Sequence, residues 1–126
     1  MPKKLKVLLV DDSIIIIQRV KQLLKELDCV AEVLQATNGE EALVVVKENL
    51  PHIILLDINL PNKNGIEVLK EIKVTYNSSI VIIIFTVNDS EHYKKTCLEH
   101  GADEFINKAT QFELIPDLIK YYSDKG

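Results

Sequence analysis

A chain of 126 residues suits one domain and is long enough to bury a real core. Its 47% hydrophobic and 27% charged residues are ordinary for a folded globular protein, and a net charge of −4 offers no basic surface for nucleic acid. The apolar stretch of MPKKLKVLLVDD ends at Asp11 and Asp12, too soon for a signal peptide, and no run approaches the roughly 18 apolar residues that span a bilayer. A cytoplasmic chain with neither a membrane nor a nucleic-acid partner is therefore expected.

Lys4 to Val10 (KLKVLLV) reads as a first strand, and Ser13 to Leu27 as a helix capped by Ser13, with Ile16, Val20, Leu23, Leu24 and Leu27 on one stripe. Cys29 to Ala36 is a weaker strand suited to a sheet edge. Asn38 and Gly39 open a helix over Glu40 to Asn49, which Pro51 stops. His52 to Leu56 is strand-like, and its unbroken apolar run from Ile53 marks a strand buried on both faces. After the loop NLPNKNG, in which Pro61 and Gly65 read as turn formers only, Ile66 to Thr75 is helical with Ile66, Leu69, Ile72 and Lys73 at helical spacing. Ile80 to Phe85 (IVIIIF) is the most β-prone window and belongs in the sheet interior. Asp89 to His100 is helical and ends at Gly101, and Asp103 to Asn107 is a short fifth strand. The last helix, Thr110 to Tyr122, contains Pro116, which fits only if regular helix begins near Ile115 and TQFEL forms an irregular first turn.

Cys29 and Cys97 have no CxxC spacing and read as buried reduced thiols. His52, His92 and His100 show no metal-ligand spacing.

Five strand-helix units in succession imply an α/β fold, a parallel sheet with helices on both faces. Ligands of such sheets bind beyond the carboxyl ends of the strands, where the strand order reverses. The first strand ends in Asp11 and Asp12, the third in Asp57, the fourth in Thr86 and the fifth just before Lys108. If the order is 2-1-3-4-5, these ends are neighbours, roughly 5 Å apart from strand to strand. Three carboxylates in one cleft repel and call for a cation, and an all-oxygen site suits Mg²⁺. A carboxylate is also a competent nucleophile toward phosphorus, and phosphoryl transfer demands mainly positioning and charge neutralisation. Asp57, on the central strand, is the natural nucleophile, with Asp11 and Asp12 holding the metal.

These motifs resemble the receiver domain of two-component response regulators. VLLVDDS, IILLDINLPNKNG, IIIFT and GADEFINK match in order the acidic pair, the phospho-acceptor with its D-x-x-L-P-x-x-x-G loop, the Thr/Ser position and the Phe/Tyr-x-x-Lys position, and the likeness covers essentially the whole chain. The resemblance implies a doubly wound five-stranded sheet in the order 2-1-3-4-5, and a protein whose only catalysis is of its own phosphorylation and dephosphorylation. It implies that Asp57 accepts a phosphoryl group from a phosphohistidine of a sensor histidine kinase or histidine phosphotransfer protein. Mg²⁺ would be bound by Asp12 directly, by Asp11 largely through water, by Asp57, and by the backbone carbonyl of Asn59. Lys108 would pair with Asp57 at rest and with a phosphoryl oxygen afterwards, while Thr86 moves to hydrogen-bond another. Phe105 would turn into the space that Thr86 leaves, reshaping the face formed by the fourth helix, fifth strand and fifth helix, where a downstream protein target binds. A plain core role also accounts for Phe105, and Asn59 and Asn88 flank the site at positions where the family varies its dephosphorylation rate, though solvated loop positions account for them equally well.

Two positions depart from the family pattern. Val87 stands where a small residue is usual and is expected to slow attack on the acyl phosphate, and Ala109 stands where a cis-proline usually follows the lysine. A cis bond before a non-proline costs about 2.5–4 kcal/mol, so the loop either goes trans or bears that strain. Residues 1–126 are expected to form a single receiver domain without an output domain, signalling by contact. Three other readings compete. A haloacid-dehalogenase-type phosphatase would want an acid two residues after Asp57, where Asn59 stands. A flavin-binding module would want a phosphate-cradling loop where DDSIII stands. A pseudo-receiver would keep the fold without phosphorylation.

Overall fold

The computed structural model describes residues 4–88 and 90–125. Five parallel strands, β1 (Leu5–Val10), β2 (Val30–Ala36), β3 (Ile53–Leu56), β4 (Val81–Thr86) and β5 (Glu104–Asn107), form one sheet in the order β2-β1-β3-β4-β5. They alternate with α1 (Ile14–Lys25), α2 (Gly39–Asn49), α3 (Gly65–Tyr76), α4 (Glu91–Glu99) and α5 (Ile115–Lys125). The expected doubly wound topology is therefore present.

Period-two alternation divides the core into two layers. Leu8, Val10, Ile54, Leu56, Ile82 and Ile84 face α2, α3 and α4, packing on Ala42, Val46, Val68, Leu69, Ile72 and Cys97. Their neighbours Val7, Leu9, Ile53, Leu55, Ile83 and Phe85 face α1 and α5, packing on Ile17, Val20, Leu24, Ile115 and Ile119. With both faces covered, β3 is apolar throughout and β1 and β4 are apolar apart from Lys6 and Thr86, whereas β2 at the edge is largely exposed or half-buried.

Helix starts follow side-chain capping. Ser13 accepts from the Ile16 N–H at 3.3 Å, Asn38 from Glu41 at 2.8 Å, Asn64 from Ile66 at 2.7 Å and Ser90 from Tyr93 at 3.3 Å. A 3₁₀ turn at Phe112–Leu114 precedes α5, which begins at Ile115 and so accommodates Pro116 in its first turn, as expected. Gly101, at φ 98°, follows α4 as predicted, while the predicted helix start at Asp89 lies outside the described residues.

Three expectations need correction. The α1 stripe centres on Ile17, Val20 and Leu24, with Ile16, Leu23 and Leu27 at its margins, because four consecutive isoleucines carry no helical phase of their own. Val68 joins Leu69 and Ile72 in the core, leaving Ile66 partly buried. Only Cys97 is a buried thiol, since Cys29 is half-buried just before the edge strand β2.

Candidate functional site

Parallel ladders bring the residues that follow β1, β3 and β5 to one edge of the sheet. The Asp11 N–H donates to Ala36 O at 3.1 Å, the Asp57 N–H to Val10 O at 3.0 Å, and the Lys108 N–H to Thr86 O at 3.1 Å. Asp11 and Asp57 are each only 3% exposed, and Asp12 is exposed beside them. The Lys108 ammonium lies between the buried pair, 2.7 Å from Asp11 Oδ2 and 2.8 Å from Asp57 Oδ2. The other oxygens are held by backbone: Asp11 Oδ1 accepts from the Ser13 N–H at 2.9 Å, and Asp57 Oδ1 from the Asn59 N–H at 3.1 Å. Both carboxylates are thus oriented before anything binds.

Charge in this cleft is unbalanced. Carboxylate oxygens of Asp11, Asp12 and Asp57 lie within 4.8 Å of one another, against a single shared ammonium. Burial pushes the Asp11 carboxyl above the usual carboxylate range, despite the opposing hydrogen bond from Lys108. Burial also acts to lower Lys108, but its hydrogen bonds to Asp11 and Asp57 and the charge of both outweigh that and hold the ammonium above the ordinary lysine value. Burial thus sets the direction at Asp11, and two carboxylates on one ammonium set it at Lys108. The surplus of hard, anionic oxygen fits a hard divalent cation such as Mg²⁺.

Thr86 is fully buried, and its Oγ1 accepts from the Asn88 N–H at 3.3 Å. Val87 beside it is 54% exposed. Asn59 is exposed, and Phe105 is half-buried against the core layer of α2, α3 and α4. The Lys108–Ala109 peptide is trans, which settles the alternative left by Ala109.

Two features escaped the sequence. Asp11 is as close a partner of Lys108 as Asp57 is, a contact spanning 97 positions that no local pattern signals. Gly65 is more than a turn former: a Cβ there would overlap Asp57 O and the Ile58 Cα, and its N–H donates to Ile58 O at 3.0 Å. The start of α3 therefore presses directly against the backbone of Asp57, and the fixed spacing of Gly65 seven residues after Ile58 is the available signal.

The sequence model of the response regulator receiver domain matches residues 7–120. The chain belongs to this family. It is 34% identical over 114 residues, 90% of the chain, to the nitrate/nitrite response regulator protein NarL of Escherichia coli, and 38% identical over 124 residues, 94% of the chain, to a protein-glutamate methylesterase/protein-glutamine glutaminase of Clostridium acetobutylicum. These matches take in 51% and 36% of the relatives' own length, so the chain spans about half of them or less. Among solved structures, the receiver domain of the Francisella response regulator 1452 superposes with a TM-score of 0.85 at 26% identity, covering 99% of this chain and 98% of that one. The protein is a receiver domain of the two-component response regulators, a family that accepts phosphoryl groups from kinases and generally binds Mg²⁺ at an acidic pocket. No helix among the described residues is long and apolar enough to cross a membrane.

Proposed function

We propose that Asp57 of this receiver accepts a phosphoryl group from a phosphohistidine of a sensor histidine kinase or histidine phosphotransfer protein. An Asp57 oxygen forms the new P–O bond as the donor's P–N bond breaks, and the bonding pair leaves with the ring nitrogen as neutral imidazole, its proton on the other nitrogen. Asp11, Asp12, Asp57 and the Asn59 carbonyl hold Mg²⁺, which when bound offsets the charge of the phosphoryl oxygens. Lys108 needs little movement to exchange its Asp57 contact for one to a phosphoryl oxygen, because its ammonium is already 2.8 Å from that carboxylate. The Thr86 hydroxyl turns to donate to a second phosphoryl oxygen, and Phe105 moves into the space that it leaves.

The new charge is read by a protein target at the face of α4, β5 and α5, elements on which Tyr93, Leu98 and Tyr121 are exposed, as is Leu114 in the turn before α5. The observation that carries this reading is the lysine shared by two buried carboxylates in a cleft of surplus negative charge. Its test is incubation with Mg²⁺ and acetyl phosphate, followed by intact mass, alongside beryllofluoride-induced amide shifts. Gain of one phosphoryl group, and shifts around Thr86 and Phe105, are expected and vanish in Asp57→Ala. Neither change, with Mg²⁺ bound, would overturn the proposal in favour of a module that works unphosphorylated.

A further inference from the structure

Lys108 leaves the end of a short edge strand and enters a loop whose next two residues, Ala109 and Thr110, are exposed. A four-carbon side chain on such a loop would ordinarily sample many positions, yet its ammonium must stay between two fixed carboxylates. The backbone around it is held by a closed set of hydrogen bonds. Asn107 Oδ1 accepts from the Ala109 N–H at 2.8 Å and from the Thr110 N–H at 3.2 Å. Gln111 returns to the same residue twice, its N–H donating to Asn107 O at 2.8 Å and its Oε1 accepting from the Asn107 N–H at 3.0 Å.

The parallel ladder explains why this pairing is available. Lys108 N–H points inward to Thr86 O, so in a parallel strand the N–H and C=O of Asn107 point to the open side of β5. Gln111 engages both, as a neighbouring strand would. The donated Ala109 N–H matters as well, since proline at that position would have none.

We infer that Asn107 and Gln111 form a clip that positions Lys108 for phosphoryl transfer. The inference rests on the phosphoryl-acceptor reading of Asp57 for its role in transfer, but the clip has a consequence of its own: it fixes where the Lys108 ammonium sits before any phosphodonor arrives. Asn107→Asp and Gln111→Glu keep the accepting oxygens, whereas Asn107→Ala and Gln111→Ala remove them.

The decisive experiment follows acetyl phosphate labelling with Mg²⁺ and the ¹⁵N signal of the Lys108 ammonium in the unaltered protein and these four variants, and labelling alone in Lys108→Ala with and without Asn107→Ala, with thermal melts to confirm folding. Both alanine variants are expected to lose on the order of ten- to a hundredfold in labelling rate and to shift the Lys108 signal. The acidic variants should restore both, and Asn107→Ala should cost nothing further in a Lys108→Ala background. An unchanged Lys108 signal in folded Asn107→Ala and Gln111→Ala overturns the clip, as does an equal additional loss in the Lys108→Ala background. If the unaltered protein takes up no phosphoryl group, the acceptor reading fails instead, and the Lys108 signal alone still decides the clip.

Discussion

The sheet carries a lysine–aspartate arrangement at each end, and the two differ in charge balance more than in geometry. At the amino end of β4 and β5, Lys73 Nζ lies 3.0 Å from Asp103 Oδ2 and 3.0 Å from Ile80 O, while the same Asp103 oxygen accepts from the Ile82 N–H at 2.9 Å. One cation meets one anion, and the remaining contacts are backbone. At the carboxyl end, one ammonium meets Asp11 and Asp57 with Asp12 beside them. Similar distances therefore describe a neutral latch between α3 and two strands, and a cleft that still has negative charge to place. The surplus is what marks the second as a binding site.

Exchanging the aspartates breaks the comparison most sharply. Asp57→Ala abolishes acetyl phosphate labelling, and Asp103→Ala leaves its rate at that of the unaltered protein, both read by intact mass. The lysines differ next. In chelating buffer, Lys108→Met leaves two buried carboxylates without their cation and lowers stability by about 3–5 kcal/mol, whereas Lys73→Met loses about 1–3 kcal/mol, as urea midpoints will show. Added Mg²⁺ should narrow the gap to the unaltered protein in the first variant and leave that gap unchanged in the second.

Each end also has a glycine beside its lysine network. Gly65→Ala forces a methyl into the Asp57 backbone, costing about 1–3 kcal/mol and slowing labelling. Gly101→Ala meets only the flexible Lys73 side chain but must hold φ near 98°, costing about 1–2 kcal/mol with labelling unchanged.

The latch end offers a pH test as well. The Tyr122 hydroxyl donates to Glu104 Oε2 at 2.8 Å, and burial first, then that hydrogen bond and the Glu104 charge, hold its phenol well above the ordinary tyrosine value. Above about pH 10 the unfolded chain releases this proton while the folded chain keeps it, so stability falls as pH rises. Tyr122→Phe should flatten that alkaline decline in urea titrations and leave the neutral-pH labelling rate alone. Val87→Ala is the smallest expected change, a modest rise in the dephosphorylation rate followed by loss of the added mass.

Much of this was legible in the chain because period-two and period-3.6 apolar patterns are local. IILL and IVIIIF announce strands covered on both faces, Pro116 dates the start of the last helix, and acidic or basic residues closing three strands, with Thr86 closing a fourth, point to one edge. Phase within IIII at 14–17 was not legible, because every position there is equally apolar and only the sheet selects Ile17.

By itself the sequence determined a five-fold alternation of strands and helices and the identity of the groups at the strand ends, since hydrophobic period and residue chemistry need no partner. Only the tertiary structure decided that Lys108 divides itself between Asp11 and Asp57, that Gly65 bears on the Asp57 backbone, and that Asn107 and Gln111 enclose the lysine loop. The first two are contacts across strands or between a helix start and a strand end, and the third depends on which side of β5 is left open. Distance along the chain carries no information about the first of them until the parallel ladder sets the strands in register.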